Sequence, residues 1–231
     1  MRLDRLSHLH LRTVLLALAM APLLAACISS GERDFKVEPP ASLTTQVAPT
    51  LTLEFSSGDI RVLPSADEKL RATATFYCDQ SNSQCLKNAA KASIVHQQRA
   101  EHSTIRFEPG SAYTTRHANV IYRVEVPMVD SLKVSFDAGD VRVDSPTACL
   151  KASGAAGDLN ITAPYESVAS VSLDANLGDA NLITPAGLAS DRRPLLVGSE
   201  VEWAEGPGNC AMNAKLTAGA ISVRLEDDST Q

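Results

Sequence analysis

The sequence predicts an all-β fold: a repetitive β-solenoid or β-helix-like stack of short strands with Gly-Asp turns, with an antiparallel β-sandwich as the alternative. Three observations lead there. Apolar and polar residues alternate through most of the chain beyond residue 50, the period of half-buried strands. A glycine recurs five times between two such alternating runs. Aromatics make up only 4% of the 231 residues, so the interior must be built from Val, Leu, Ile and Ala, which suits thin β layers.

The first segment is a leader rather than part of the fold. Arg2, Arg5 and Arg12 precede a twelve-residue apolar run from Thr13 to Leu24, long enough for a secretory signal core and too short to span a bilayer. Leu24-Ala25-Ala26-Cys27 resembles the lipobox of bacterial lipoproteins. That resemblance implies cleavage before Cys27, a diacylglyceryl thioether on its sulfur and acylation of its new amine. The plainer reading is an ordinary signal peptide cut after Ala26. Ile28, rather than Asp, follows the lipid position; under the usual Gram-negative sorting rule such lipoproteins travel to the outer membrane. The expected layout is therefore a signal peptide over 1–26, the lipidated Cys27 and tether over 27–34, a β-repeat domain over 35–225 and an acidic tail over 226–231.

The leader carries three arginines and one aspartate, so its removal takes the formal charge from −6 to −8. Net acidity argues against nucleic acid or an anionic membrane surface as partner, because both demand clustered Lys and Arg.

The repeat begins at Leu51, Leu53 and Phe55, passes Gly58-Asp59 and resumes with Ile60 and Val62. Leu132, Val134 and Phe136 lead to Gly139-Asp140, then Val141 and Val143. Leu150 and Ala152 lead to Gly157-Asp158, then Leu159 and Ile161. Val171, Leu173 and Ala175 lead to Gly178-Asp179, then Ala180 and Leu182. Met212, Ala214 and Leu216 lead to Gly219-Ala220, then Ile221 and Val223. Glycine supplies the positive φ of a tight reversal, and Asp can accept from turn amides. The change of parity across each pair keeps both flanking runs facing one interior. Two copies depart: Gly154 stands where the third repeat should be apolar, and Ala220 replaces Asp in the fifth. Glycine spacings of 81, 18, 21 and 41 lie near multiples of 20, the mark of stacked units. Hairpins joined at the same Gly-Asp pairs would instead give the sandwich.

Between the first two repeats, strands are expected at Leu70–Cys78, Ala92–His96, Thr104–Glu108 and Val120–Val126, the last ended by Pro127. Lys87–Gln98 is an alternative helix. Residues 184–209 interrupt the repeat with four glycines and three prolines, and hold the single Trp, Trp203. Four cysteines remain beside Cys27: Cys78, Cys85, Cys149 and Cys210. In an exported chain they read as two disulfides with three possible connectivities. Cys78 and Cys85 bracket a polar loop that could close locally, which would leave Cys149 for Cys210. Metal-ligand spacing is absent, so no metal is expected.

Val124-Glu125-Val126-Pro127, Leu132-Lys133-Val134, Gly139-Asp140-Val141-Arg142-Val143 and the repeated Gly-Asp together resemble the bacterial DUF4097 adhesin-like family. The resemblance runs from about Phe35 to Leu225. It implies a β-strand-repeat domain, secreted or membrane-anchored, without an established enzymatic activity, and it carries no functional residues to transfer.

Catalytic residues are not expected. Nucleophile-elbow, zincin and Walker patterns are missing, and His96, His102 and His117 read as solvent-facing. Asp59, Asp140, Asp158 and Asp179 recur at one position; stacked, they would repel, and calcium could bridge them, although capping of their own turns by solvated carboxylates is the simpler role. No other cofactor is expected. Glu200, Glu202 and Glu205 around Trp203 are the one carboxylate set compatible with glycan cleavage. The functional expectation is a non-enzymatic, lipid-anchored envelope protein, an adhesin or a binding or scaffold module with a glycan or an envelope protein as partner. The alternatives are a β-helix polysaccharide-processing enzyme and an envelope assembly or stress accessory that pairs through an edge strand at Ile221–Leu225. Oligomeric state stays open.

Overall fold

Each glycine repeat forms a strand that bends at its glycine instead of reversing there. In the computed structural model, residues 34–38, 40–145, 147, 149–188, 192–194 and 197–227 are described. Cys27, with the leader and the expected tether as far as residue 33, lies outside them, and residue 34 already belongs to a strand. Three repeats are continuous strands: β9 (Ser131–Asp144), β10 (Leu150–Pro164) and β16 (Cys210–Glu226). The first repeat is β3 (Thr50–Ser57) followed by β4 (Asp59–Pro64), and the fourth is β11 (Val168–Leu177) followed by β12 (Ala180–Thr184). The expected tight reversal is thus a corner. Its physical basis is the positive φ of the glycines, from 120° at Gly157 to 155° at Gly58, which turns the strand without breaking its hydrogen-bond ladder.

The repeats pair parallel and in register. Gly157 lies beside Gly139 on one side and Gly219 on the other, and the flanking residues match one for one. Parallel pairing extends through β3 and β4 at one side and β11 and β12 at the other. The corner admits only glycine along this line: a methyl at Gly157 would fall on the Gly139 carbonyl oxygen, and one at Gly219 on that of Gly157.

Order in space differs from order in sequence. The fifth repeat, β16, sits between the third and the fourth, so the row runs β4, β9, β10, β16, β11. Ile221–Leu225 is therefore not an edge. It is paired to Leu159–Ala163 on one side, and Ile221–Arg224 is paired to β12 on the other, so it cannot template a partner strand. Residues 165–167, a short 3-10 turn, carry the chain from β10 to β11 past the slot that β16 fills.

Strands outside the repeats complete the sheet, two of them parallel to the first repeat and the others antiparallel to their neighbours. On the first-repeat side, β8 (Ala118–Val126) pairs β4 and then β5 (Leu70–Asp79), which carries β1 (Asp34–Lys36) and β2 (Ala41–Thr45). β7 (His102–Glu108) pairs β3 and forms a hairpin with β6 (Ser93–Arg99). On the other side lie β13 (Gly187–Leu188), β14 (Arg192–Pro194) and β15 (Ser199–Trp203), all from the 184–209 excursion. The result is one large mixed sheet that does not close. Its bend lays the two arms of every repeat over one interior. Leu53, Val134, Leu173 and Leu216 before the corner share that core with Val62, Val143, Ile161 and Val223 after it.

Two local departures have clear causes. The strand expected at Ala92–His96 forms as Ser93–Arg99, and in place of the alternative helix at Lys87–Gln98 a shorter one lies earlier, Ser83–Ala89, with the Asn82 side chain accepting from the Cys85 amide at 3.0 Å. A second short helix, Ala112–His117, has no counterpart in the sequence expectation and is capped by Ser111. Gly154 breaks the repeat because the Phe136 ring, from the neighbouring strand, fills the space its side chain would take.

Candidate functional site

The disulfides frame the repeats. Cys78 is joined to Cys85, fastening the Ser83–Ala89 helix to β5. Cys149 is joined to Cys210, with Cα atoms 4.7 Å apart, at the start of the adjacent strands β10 and β16. That bond fixes the fifth repeat beside the third. Disulfides of this kind belong to chains that fold in an oxidising compartment.

The repeat aspartates form a row after the corner, interrupted by the inserted strand. Asp59, Asp140 and Asp158 follow one another, then Ala220, then Asp179. The Asp158 carboxylate accepts from the amide of Ala220 at 3.2 Å, so it caps the neighbouring strand's corner rather than its own. Asp158 and Asp179 do not adjoin. Among the described residues no three His, Cys, Asp or Glu converge as a metal centre. Two residues beyond Asp59 and Asp140, Arg61 and Arg142 lie side by side, and Arg123 of the neighbouring strand stands beside Arg61, making a parallel row of opposite sign.

Neither candidate for chemistry is assembled. On β15, Val201 is buried and Trp203 shares its face, packing towards the core with Tyr165 at a ring separation of 6.1 Å. Glu200 and Glu202 project from the opposite face, where Glu202 accepts from the Ser172 hydroxyl at 2.6 Å. Trp203 therefore cannot grip one sugar together with Glu200 and Glu202, and Glu205 lies exposed in the loop beyond the strand. A serine–histidine contact does occur: the Ser103 hydroxyl lies 3.3 Å from His96 Nε2, and His96 Nδ1 lies 3.1 Å from Thr45 Oγ1. Ser103 has no exposed surface and already accepts from the Ala48 amide at 2.8 Å, so no substrate carbonyl can reach it. His96 is accordingly a tie between β2 and the β6–β7 hairpin, not the solvent-facing residue that sequence suggests. His102 and His117 are exposed, the latter stacked on Tyr113.

A lysine-lined site lies on the outer face of the arm before the corner. Lys133 and Lys151 occupy the same repeat position on β9 and β10 and stand directly side by side. Ser135 and Ser153 lie two residues on, and Asn213 and Lys215 occupy the matching positions of β16. The short side chains leave a trough of about 330 Å³ bordered by Lys133, Lys151, Ser172, Asp174, Asn213 and Lys215. Lys215 donates to Asp174 at 2.7 Å, while Lys133 and Lys151 have no carboxylate in ion-pair reach among the described residues. Adjacent strands root two like charges side by side, and their mutual repulsion favours an anion between them. A larger groove, about 830 Å³, runs past the ends of the second arm by Asp144, Arg224 and Glu226; it presents carboxylates and strand termini with a single cation.

Comparison with known proteins adds little to this geometry. No protein-family model matches the chain, and no curated protein sequence matches it. Solved structures that resemble it include a "putative cell adhesion protein" from Clostridium sporogenes, 13% identical, with a TM-score of 0.48 over 81% of this chain and 100% of that one. Another is a "putative adhesin" from Parabacteroides merdae, 9% identical, with a TM-score of 0.26 over 80% of each chain. The adhesin-like resemblance therefore rests on the sequence motifs.

The lysine pair escaped the sequence reading because the net charge is negative and the two residues are eighteen positions apart. Their signal was nevertheless present: each stands six residues before its corner glycine, so aligning the repeats on glycine superposes them.

Proposed function

We propose that the chain is a non-enzymatic, lipid-anchored protein of the cell envelope, held by acylated Cys27 and acting as an adhesin-like binding or scaffold module. Its repeats form a solenoid-like stack that presents flat polar faces to a glycan or an envelope protein. The observation that carries the binding role is the trough at Lys133, Lys151, Ser153 and Lys215, built on strands hydrogen-bonded on both sides and so held rigidly in place. The anchoring role rests on Leu24-Ala25-Ala26-Cys27 and the basic leader, and Ile28 favours the outer membrane. Several acyl chains on one residue, at about 0.8 kcal/mol per buried methylene, hold essentially permanently.

Two measurements test this reading. Detergent-phase partition of cell extracts should carry the wild-type chain with the lipid phase and Cys27→Ala with the aqueous phase; identical partition overturns the anchor. The purified full chain should be retained on isolated cell-envelope material, and Ser153→Trp, which fills the trough, should abolish retention. Unchanged retention removes the trough as the binding face.

A further inference from the structure

We propose that the trough between β9, β10 and β16 recognises an acidic polysaccharide, with Lys133 and Lys151 gripping successive anionic groups of the polymer. The inference rests on the trough being the binding face and adds the chemical class of its ligand.

Four observations converge on it. The first is a local reversal of sign: a chain of net charge −6 gathers three lysines around one cavity that has one carboxylate, Asp174, on its border. Second, that carboxylate is already engaged by Lys215, which leaves the charges of Lys133 and Lys151 for something outside the chain. Third, the residues directly beside the pair are neutral and hydrogen-bonding, Thr52 and Asn213 to either side and Ser131, Ser135 and Ser153 along the strands, while Glu54, beside Ser135, is held by Arg106 at 2.7 Å. Hydroxyl and amide groups beside ammoniums are the donors and acceptors that a sugar ring with a charged substituent needs. Fourth, the lysines repeat at the spacing of parallel strands, so they offer a linear polymer two equivalent contacts rather than one point charge.

Other charged rows are less suited. Arg61 and Arg142 lie two residues from Asp59 and Asp140 on the same strands, so each arginine has a carboxylate of its own chain close by to compete with an incoming anion. At the trough the neighbouring carboxylates, Asp174 and Glu54, are instead engaged by Lys215 and Arg106.

Binding of the purified full chain to three soluble polymers tests the assignment: polygalacturonate (carboxylate), dextran sulfate (sulfate ester) and neutral dextran. Phosphatidylglycerol-containing vesicles serve as a fourth, non-glycan anion. The expected result is saturable binding of one or both acidic polymers, weakened by salt, with neutral dextran and vesicles unbound. Lys133→Gln/Lys151→Gln should weaken it at least about tenfold, on the scale of losing two exposed charge-assisted contacts. Lys91→Gln, on an exposed turn elsewhere, should leave it unchanged. Far-ultraviolet circular dichroism checks that the variants keep the fold. Preference between the two acidic polymers identifies the anionic group. Equal binding by the double lysine variant overturns the proposal, and so does vesicle binding tighter than that of either polymer. Neutral dextran bound as well as the acids, and lost in Ser153→Trp, would remove the acidic class while keeping the trough as a glycan face. Binding of every polymer untouched by Ser153→Trp would remove both.

Discussion

A side chain at position 157 has no room, because the carbonyl of Gly139 already occupies the place of its first carbon. The same glycine sits at a φ of 120°, which L-residues avoid. Gly157→Ala is expected to cost more than about 3 kcal/mol, read as loss of the cooperative urea transition or of soluble expression. Gly154 is a gentler case, since its obstacle is a side chain. Gly154→Ala should cost about 1–3 kcal/mol through overpacking against Phe136, and Phe136→Leu in the same chain should recover part of it in a double-mutant cycle. The importance of the corner glycines could be read from their recurrence. The reason for Gly154 could not, because it lies in the ring of a residue on another strand. Asp67 gives a residue-level test of electrostatics: the Arg71 guanidinium, helped by the Lys69 amide, holds its carboxyl at about 2. A carboxyl lower in the folded than in the unfolded state adds stability that is present above the unfolded value and disappears as pH falls through about 2. Carboxyl-detected NMR should show that midpoint, and Arg71→Ala should return it towards the ordinary carboxylate range.

Strands and their faces were largely legible, because alternation reports which side of a strand is buried whatever its partner. Leu132, Val134, Val141 and Val143 needed no structure to be placed inward. Partner choice was not legible. Nothing in the alternation of Met212–Val223 distinguishes an outermost strand from one with neighbours on both sides; the bond from Cys210 to Cys149 marks one neighbour, and the pairing with β11 and β12 supplies the other. Corner and hairpin were equally ambiguous, since both want glycine at positive φ and the difference is whether the ladder continues past it. The two disulfides should differ in worth. Joining Cys149 to Cys210 closes a loop with a sequence separation of 61, against 7 for Cys78 and Cys85. Loop-closure entropy gives about 4 kcal/mol for the longer and about 2.5 kcal/mol for the shorter. Chemical denaturation of Cys149→Ser/Cys210→Ser and of Cys78→Ser/Cys85→Ser should rank them in that order; the reverse order would mean that the longer loop is already constrained when unfolded.

At the scale of the whole sheet, β16 is the member whose loss leaves most uncovered, because it hydrogen-bonds β10 along one side and β11 and β12 along the other. A chain stopped before Cys210 should therefore fail to give a protected core in hydrogen exchange, even though four of five repeats remain. Local repair of the first four repeats, with only the fourth exchanging fast, would contradict this. The trough belongs to the same scale. It exists only where three strands distant in sequence lie side by side, which is why composition and motif searches pass over it.

Arrays of like units ordinarily come apart from their ends, one unit at a time, since each touches only its predecessor and successor. Interleaving the fifth unit between the third and fourth removes that option here. Fraying of the fourth would strip a flank from the fifth, and release of the fifth would detach the fourth from the rest. Despite its modular sequence, the sheet should melt in one sharp, all-or-none step.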